Sequence, residues 1–395
     1  MKIVVLLSRF PYPLEKGDKL RAYHQIKELA KRHEVILCSL TDTKIEQAWV
    51  KELQNCCTEL HIFKLKKPLI YWNTLKQVLT NKPYQTGYFF QRSIQQKIGR
   101  IIKNAQPDHI YCQLVRTTEY VKNIHDIPKT LDYMDALSKG MHRRSEITTG
   151  TKKKLFLIEG KRLAEYENRI FDYFNHHTII SEQDKGLINH PQKNQIKVIE
   201  NGISAEFSNY DKAVERSFDI VFTGNMNYPP NVECAEYIVN EIYPILKKSR
   251  PETRILLSGA SPHQRVSALA LDDKIVVTGW VEDIRDSYAQ GKLFLAPLFI
   301  GTGLQNKLLE AMAMGLPAIT TPLANNALKA VHGDSVIIAN KADDFASAVI
   351  DLLDNTEKWN LISKNGQELV NSTFDWAKSV EKLETLMQSK LTKAD

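Results

Sequence analysis

Short apolar runs alternate with helical stretches along almost the whole chain, and this alternation restricts the possible folds more than any other feature. The runs that read as strands lie at residues 2–7, 34–39, 109–113, 177–180, 219–223, 254–258, 274–278, 292–296, 317–320 and 335–338. Helical periods separate them, as at residues 18–32. Because strands that alternate with helices form parallel sheets with helices on both faces, we expect an α/β protein made of doubly wound, Rossmann-like sheets.

The length of 395 residues calls for more than one hydrophobic core, since domains usually contain about 50–200 residues. The strand–helix scheme starts again after Asn201-Gly202, a dipeptide typical of turns. We therefore predict an N-terminal domain over residues 1–200 and a C-terminal domain over residues 201–373. The tail over residues 374–395 has helical periodicity, and we expect it to pack back onto the N-terminal domain.

The composition is typical of a soluble globular protein, with 43% hydrophobic and 25% charged residues. No apolar run approaches the roughly 20 residues that span a bilayer, and residues 3–7 read as a first strand rather than as a signal peptide. The five cysteines show no Cys-x-x-Cys spacing. We therefore expect a cytoplasmic protein with reduced thiols and no metal site.

Positive charge is concentrated in the first half of the chain, where residues 1–200 carry a net charge of +13 against −6 for residues 201–395. Between Glu59 and Asp108 there are nine Lys and Arg residues, seven aromatic residues and no acidic residue. This mixture suits peripheral contact of residues 60–107 with an anionic membrane at its inner face, because cations approach lipid phosphates while rings lie at the headgroup level. A solvated basic face with its aromatic rings in the core is equally compatible, and no recognised motif supports nucleic-acid binding.

The strongest chemical signal is the stretch GTGLQNKLLEAMAMGLPAITT at residues 301–321. Two glycines precede a helix predicted over residues 304–314, at the carboxyl end of a predicted strand. Free backbone N–H groups and the helix dipole make such a helix start an anion site. Lys307 and Glu310 lie on one face of this helix, where the ammonium can reach a phosphate and the carboxylate can bind both hydroxyls of a ribose.

The same spacing is equally compatible with a capped, buried helix that carries a Lys–Glu surface pair. The stretch is not a Walker loop, because Gly-x-x-x-x-Gly-Lys is absent. It is not the dinucleotide-binding fingerprint either, because Asn306 stands where the third glycine should be.

Several stretches, in the expected order, resemble the retaining GT-B glycosyltransferases of family 4, and among them the exopolysaccharide-type sugar transferases. The stretches are PYPLEKGDKLRAYHQIKELAKRHEVILCS, KVIENGISAEF, DIVFTGNMNYPPNVECAEYIV, IVVTGWVEDIRDSYAQGKLFLAPL and GTGLQNKLLEAMAMGLPAITT. The resemblance implies two Rossmann-like domains facing across a cleft, the GT-B fold. It also implies sugar transfer with retention from a UDP- or GDP-linked donor to a saccharide or lipid-linked acceptor, in cell-surface or exopolysaccharide biosynthesis, with no metal ion and no cofactor.

The resemblance further implies roles for individual residues. Lys307 would hold the donor diphosphate, and Glu310 would bind the nucleotide ribose. The full set of implied donor contacts is Gly17, Gly224, Asn225, Trp280, Val281, Thr302, Gly303, Leu304, Lys307 and Glu310. Asp135 would lie beside the reacting sugar, where a carboxylate orients the acceptor or stabilises an oxocarbenium ion; an ordinary loop cap is the alternative for this residue.

Two positions depart from the family pattern. Thr302 stands where relatives place the first of two glutamates separated by seven residues, so the donor sugar is not identified. Asn225 stands where many relatives have an arginine for the phosphates. Arg21 and Arg116, from the basic half of the chain, are candidates to replace that cation and to bind the acceptor. Two alternative functions stay open: a nucleotide-sugar epimerase on the same fold, and a non-catalytic sugar-nucleotide-binding protein.

Overall fold

The protein forms two compact units, seen in a computed structural model that describes residues 1–14, 16–146, 148–270, 273–300 and 303–389. One unit comprises Met1–Glu200 together with the C-terminal residues from Ala377 onward, and the other comprises Asn201–Trp376. Each unit contains a parallel sheet flanked by helices, which confirms the predicted α/β class. No helix among the described residues is both long and apolar enough to cross a membrane.

The N-terminal unit is built on a parallel sheet of seven strands. These strands are β1 (Lys2–Leu7), β2 (Glu34–Thr41), β3 (Glu59–Lys64), β4 (His109–Gln113), β5 (Lys129–Asp132), β6 (His176–Ile179) and β7 (Lys197–Val198). Their order in the sheet is β3-β2-β1-β4-β5-β6-β7. Strand β1 is almost entirely buried, because it lies between two other strands and beneath helices on both faces, and such strands read as continuous hydrophobic runs.

Eight α-helices precede β7 in this unit. They are α1 (Gly17–Leu29), α2 (Gln47–Gln54), α3 (Lys67–Lys76), α4 (Tyr84–Phe89), α5 (Arg92–Ala105), α6 (Leu137–Glu146), α7 (Gly150–Phe171) and α8 (Glu182–Leu187). Helix α5 shows how periodicity selects the buried face, since Ile94, Ile98 and Ile102 recur every four residues and are all buried.

The C-terminal unit contains a parallel sheet of six strands. They are β8 (Phe218–Thr223), β9 (Ile255–Ser258), β10 (Ile275–Val277), β11 (Gly291–Ala296), β12 (Ala318–Thr320) and β13 (Ile337–Ile338). Their order is β10-β9-β8-β11-β12-β13. The direction of strand progression therefore reverses between β8 and β11, and open α/β sheets bind ligands at the carboxyl ends of the strands at such a switch point.

The helices that follow residue 200 continue the numbering. They are α9 (Ala205–Ser208), α10 (Pro229–Tyr237), α11 (Tyr243–Ser249), α12 (Gln264–Ser267), α13 (Ile284–Ala289), α14 (Asn306–Ala313), α15 (Pro322–Leu328), α16 (Ala342–Asp354), α17 (Thr356–Thr373) and α18 (Trp376–Gln388). Helix α18 contributes Val380, Leu383 and Met387 to the hydrophobic cluster that contains β1 residues. It is also tied to the N-terminal unit by an ion pair between Glu384 and Arg32.

Three strands of the N-terminal sheet do not follow from the apolar pattern. Strand β3 is a partly exposed edge strand, and β7 has only two residues. Strand β5 is buried but polar, since Lys129, Thr130 and Asp132 are all buried in its four residues. Buried polar groups are tolerated where they form hydrogen bonds, and Lys129 Nζ donates to the carbonyl oxygen of Lys122 at 3.2 Å.

Candidate active site

Glycine loops meet at the carboxyl edge of the C-terminal sheet. Gly224 follows β8 and donates its N–H to Ser258 O at 3.0 Å, while Gly259 follows β9 and donates to Gly279 O at 3.1 Å. A Cβ on Gly259 would lie 1.9 Å from Gly224 O, and the φ angle of Gly259 is +143°. Only glycine fits there without displacing the backbone, so the loops after β8 and β9 are held together at this edge.

Helix α14 starts beside this edge and carries the predicted lysine. It begins at Asn306, two residues after the predicted start, and ends at Ala313. Gly315 follows the end of the helix with a φ of +72°, the left-handed conformation that glycine adopts after many helices. The first turn therefore places Lys307 close to the free N–H groups of the helix.

Lys307 is partly buried against neutral partners. Its Nζ donates to Asn231 Oδ1 at 2.5 Å and lies 5.4 Å from the centre of the Phe222 ring. Burial lowers the pKa of Lys307 to about 8, although the nearby Glu310 carboxylate opposes this effect. A cation held in such surroundings interacts strongly with an anion that enters the site.

Glu310 lies one turn further along α14 and is fixed by a chain of hydroxyl groups. Its Oε2 accepts a hydrogen bond of 2.7 Å from the Tyr288 hydroxyl, which in turn accepts one of 2.6 Å from Thr223 Oγ1. Burial raises the pKa of Glu310, while the Tyr288 bond and Lys307 act in the opposite direction. An ionised carboxylate accepts about four hydrogen bonds, so Glu310 retains capacity for the hydroxyls of a ligand.

Asn231 connects the loop after β8 to α14. Its Nδ2 donates to Asn225 O at 2.9 Å, while its Oδ1 accepts from Lys307. A Cβ on Gly224 would lie 2.6 Å from Asn231 Nδ2, so the glycine makes this connection possible. The sequence does not single out Tyr288 as a partner of Glu310, because a tyrosine within a short helix carries no local signal of its hydrogen-bond partner.

The remaining donor residues of the C-terminal unit lie in loops. Trp280 follows β10 with 67% of its surface exposed, and Val281 next to it is partly buried. Gly303 and Leu304 lie just before α14 and are partly buried. Thr302, the position that departs from the family pattern, lies outside the described residues.

In the N-terminal unit, Asp135 lies in the loop between β5 and α6. Its neighbour Met134 has a φ of +62°, an unusual conformation for a residue with a side chain and one that often marks functional sites. Asp135 is exposed at the surface of this loop, and its carboxylate lies near the charges of Asp184 and Arg116. Desolvation and the Asp184 carboxylate raise its pKa to about 6, against the opposing effect of Arg116.

Arg116 and Gly17 also belong to this unit and have predicted roles in binding. Arg116 is partly buried, donates from Nε to Gln85 Oε1 at 2.8 Å and lies 5.4 Å from the centre of the Phe89 ring. Gly17 is the first residue of α1, and a Cβ there would meet no other atom within 4 Å. Glycine at position 17 is therefore not required by packing within the unit.

The acceptor-binding role predicted for Arg21 needs correction. The side chain has no exposed surface, and its Nε donates to Asp132 Oδ2 at 2.7 Å. Its Nη1 donates to Ile199 O at 2.9 Å. Burial disfavours the charge, but Asp132 outweighs this effect and the pKa of Arg21 is raised. Arg21 is thus an internal structural cation and neither binds an acceptor nor replaces the arginine absent at Asn225.

Comparison with known sequences shows that part of the chain is similar to a known family. Residues 217–355 match the family described as "Glycosyl transferases group 1". An "Uncharacterized 44.6 kDa protein in cps region" of Klebsiella pneumoniae is 22% identical over 394 residues, which cover 95% of this chain and 96% of that protein. A "Putative glycosyltransferase YtcC" of Bacillus subtilis is 29% identical over 133 residues, which cover 32% of this chain and 33% of that protein.

Solved structures of similar fold cover nearly the whole chain. Sucrose-phosphate synthase from Thermosynechococcus elongatus has a TM-score of 0.71 at 14% identity, covering 98% of each chain. Anabaena Alr3699/HepE in complex with UDP-glucose has a TM-score of 0.65 at 16% identity, covering 98% of this chain and 100% of that one. WaaG, a glycosyltransferase involved in lipopolysaccharide biosynthesis, has a TM-score of 0.66 at 12% identity, with the same coverage. At these identities the likeness shows a shared fold.

Proposed function

We propose that this chain, a glycosyltransferase whose residues 217–355 form a group 1 domain, transfers a sugar from a nucleoside-diphosphate sugar to a saccharide or lipid-linked acceptor with retention at the anomeric carbon. The observation that carries the proposal is the pair of functional groups on α14. Lys307 is a cation held against neutral partners at the helix start, and Glu310 is a carboxylate fixed by Tyr288 one turn further on. A diphosphate presents negative charge to Lys307, and the adjoining ribose presents hydroxyl groups to Glu310. The two groups follow one another along the ligand as the two side chains follow one another along α14.

The proposed chemistry depends on charge that develops on the leaving group. As the acceptor oxygen bonds to the anomeric carbon and the bond between that carbon and the diphosphate breaks, negative charge grows on the diphosphate oxygen atoms. The Lys307 ammonium and the N–H groups at the start of α14 stabilise that charge, and the leaving diphosphate takes up the acceptor proton. We assign neutralisation of this charge to Lys307, which lies in the first turn of α14.

The choice of donor and pathway draws on the similar proteins. HepE has been crystallised with UDP-glucose, so a UDP-linked sugar is our first candidate donor, with GDP-linked sugars second. The Klebsiella relative is named for a cps region, and WaaG is involved in lipopolysaccharide biosynthesis. These names support a role of the present chain in assembling a cell-surface polysaccharide.

A thermal-shift screen against UDP, GDP, ADP and their sugars tests the donor site. A ligand that binds only the folded state at about 100 times its Kd stabilises it by about 2.7 kcal/mol. We expect one nucleotide series to raise the melting temperature of the parent protein and to have a much smaller effect on the Lys307→Met variant. Absence of a shift from every nucleotide would contradict the proposal, and turnover of the donor without any acceptor would favour an epimerase instead.

Asp135→Asn is expected to lower kcat by at least about tenfold and to change the pH profile. The pKa of about 6 means that the carboxylate gains a proton and loses its charge as the pH falls through 6. The kcat of the parent protein should therefore decrease as the pH falls below about 6. The kcat of the variant, which has no titrating group at this position, should not change with pH in this range. Asp126→Asn, at an exposed position of the same unit, is the matched control, and an unchanged acidic limb in Asp135→Asn would contradict the assignment.

A further inference from the structure

Exposed hydrophobic side chains are concentrated in two short segments of the N-terminal unit. Among the described residues, fifteen large hydrophobic side chains are exposed, and nine of them lie in residues 66–79 and 152–158. The nine are Leu69, Tyr71, Trp72, Leu75, Val78, Leu79, Leu155, Leu157 and Ile158. Leu79 is 90% exposed and Trp72 is 59% exposed. A cluster of this kind marks an interaction surface far more often than scattered exposed residues do.

The second segment comes from α7 and lies far from the first in sequence, but hydrogen bonds bring the two together. Arg162 Nη1, on α7, donates to Gln77 O at 2.6 Å, and its guanidinium lies 4.8 Å from the centre of the Tyr84 ring. Leu155 and Ile158 precede Arg162 by seven and four positions, so they share its face of the helix. The hydrogen bond therefore brings the end of the first segment beside α7, and we call the two neighbouring segments together the apolar–basic surface (residues 66–79 and 152–158).

Contacts inside the protein join the helices that lie beneath this surface. Glu159 on α7 is buried and accepts hydrogen bonds from Tyr84 N at 2.7 Å and from Gln85 N at 3.1 Å, which joins α7 to the start of α4. A Cβ on Gly87 would lie 2.6 Å from Gln77 Cγ, so α4 and the end of α3 are in close contact. The acidic group that follows the second segment is thus used inside the protein and does not reduce the positive charge of the surface.

The charge of the surface is uniformly positive. Each segment contains three exposed lysines and no acidic residue: Lys66, Lys67 and Lys76 in the first, and Lys152, Lys153 and Lys154 in the second. Lys76 Nζ lies 5.8 Å from the centre of the Trp72 ring, so a cation and an aromatic ring are direct neighbours on this surface. Such a combination matches a bilayer with anionic headgroups, because the lysines neutralise lipid phosphates while the apolar groups enter the region of the acyl chains.

We propose that the apolar–basic surface binds the surface of an anionic phospholipid bilayer, with Trp72, Leu75 and Leu79 inserted among the headgroups. The inference goes beyond the transfer reaction, because it concerns α3 and α7 and needs no nucleotide. It also changes the expected contact region: α7 contributes half of the lysines, although the sequence pattern pointed only to residues 60–107. Residues within that range are not equivalent, since Tyr71 and Trp72 are exposed whereas Phe89 is buried.

Vesicle flotation tests the proposal with the full chain. We expect the protein to float with vesicles of phosphatidylcholine and phosphatidylglycerol, to stay unbound with phosphatidylcholine alone, and to be released by about 1 M salt, which reduces the screening length to about 3 Å. Failure to bind the anionic vesicles would overturn the proposal. So would equal binding to both kinds of vesicle, because the lysines would then have no part in it.

Two sets of substitutions separate the apolar and the basic contributions. Trp72→Ser/Leu75→Ser/Leu79→Ser and Lys152→Glu/Lys153→Glu/Lys154→Glu should each lower vesicle binding by at least about tenfold. All six side chains are exposed, so the thermal unfolding of both variants should match that of the parent. Parental binding by the lysine variant would overturn the part assigned to α7, and parental binding by the apolar variant would overturn the insertion.

Matched controls come from the C-terminal unit, where Val331 and Leu361 are exposed apolar residues and Lys364 is an exposed lysine. Val331→Ser/Leu361→Ser/Lys364→Glu should bind vesicles like the parent. Donor turnover with a water-soluble acceptor provides a second readout that the surface variants should leave unchanged. A protein that binds vesicles but transfers no sugar would contradict the proposed function alone, and one that transfers sugar but binds no vesicles would contradict the bilayer surface alone.

Discussion

Lys307→Met is expected to lower kcat/KM for the donor by about 10²–10³-fold, the usual cost of removing one group that stabilises charge in a transition state. Methionine retains most of the length of the side chain but has no charge to offer a diphosphate. Glu310→Gln should mainly raise KM for the donor, because the ribose loses a charged acceptor while the transition-state charge on the diphosphate is still stabilised. Steady-state release of the nucleoside diphosphate measures both effects.

The stability of the Lys307→Met variant distinguishes a binding role from a structural one. The pKa of Lys307 is lowered to about 8 by burial, which means that the folded state disfavours the charged form. This cost is fully present below pH 8 and disappears as the pH rises above the unfolded-state value. Removing the charge should therefore leave the free energy of unfolding at pH 7 unchanged or raise it by about 1–2 kcal/mol. A large loss of stability would show that Lys307 holds the fold together.

The same lysine predicts an alkaline limit of activity. The pH dependence of kcat/KM reports groups of the free enzyme, so kcat/KM should decrease as the pH rises through about 8 and Lys307 loses its proton. Lys307→Arg should move this limit to higher pH, because arginine stays protonated in proteins.

The exposed pair Lys364 and Glu368 on α17 offers a matched control, since Lys364→Met and Glu368→Gln change the same charges on a helix of the same unit. Full activity of purified Lys307→Met and Glu310→Ala variants would refute the donor site.

Asp132→Asn is expected to lower the free energy of unfolding by about 3–5 kcal/mol, because it leaves Arg21 buried without its counter-charge. The carboxylate accepts bonds of 2.8 Å from the Tyr111 hydroxyl and 2.9 Å from Thr178 Oγ1 as well as the two from Arg21. An amide has one acceptor oxygen in place of two and cannot satisfy all of these donors. We expect the calorimetric transition of the N-terminal unit to shift down by about 10 °C.

Glu28→Gln is the matched control for this prediction, because Glu28 pairs with Lys31 at the surface and exposed pairs contribute at most about 1 kcal/mol. Arg21→Met/Asp132→Leu should recover part of the stability lost in Asp132→Asn, since apolar replacement of a buried ion pair is often nearly neutral. If Asp132→Asn costs no more than Glu28→Gln, the internal role assigned to Arg21 is wrong.

Local patterns predicted the main elements because they depend on near neighbours in sequence. The ten predicted apolar runs correspond to ten of the thirteen strands among the described residues, and the ends differ by at most two residues. The α/β class followed from the alternation of these runs with helices. Strands β3, β5 and β7 were not found, since an edge strand, a buried polar strand and a two-residue strand have no continuous apolar run. Residues 217–355 match the group 1 glycosyltransferases, which supports the predicted activity, whereas retention at the anomeric carbon and the roles of individual site residues stay predictions.

The sequence by itself determined that Lys307 and Glu310 share one face of a helix that follows a parallel strand, because spacing along a helix sets which side chains are neighbours. Only the tertiary structure decided what surrounds them, since Asn231 reaches α14 from helix α10 and Tyr288 reaches it from helix α13. It also decided that Arg21 is internal, because its partner Asp132 lies 111 positions away and is brought close by the order of the strands. Partners across a sheet depend on which strands become neighbours, and that information is not contained in any local spacing.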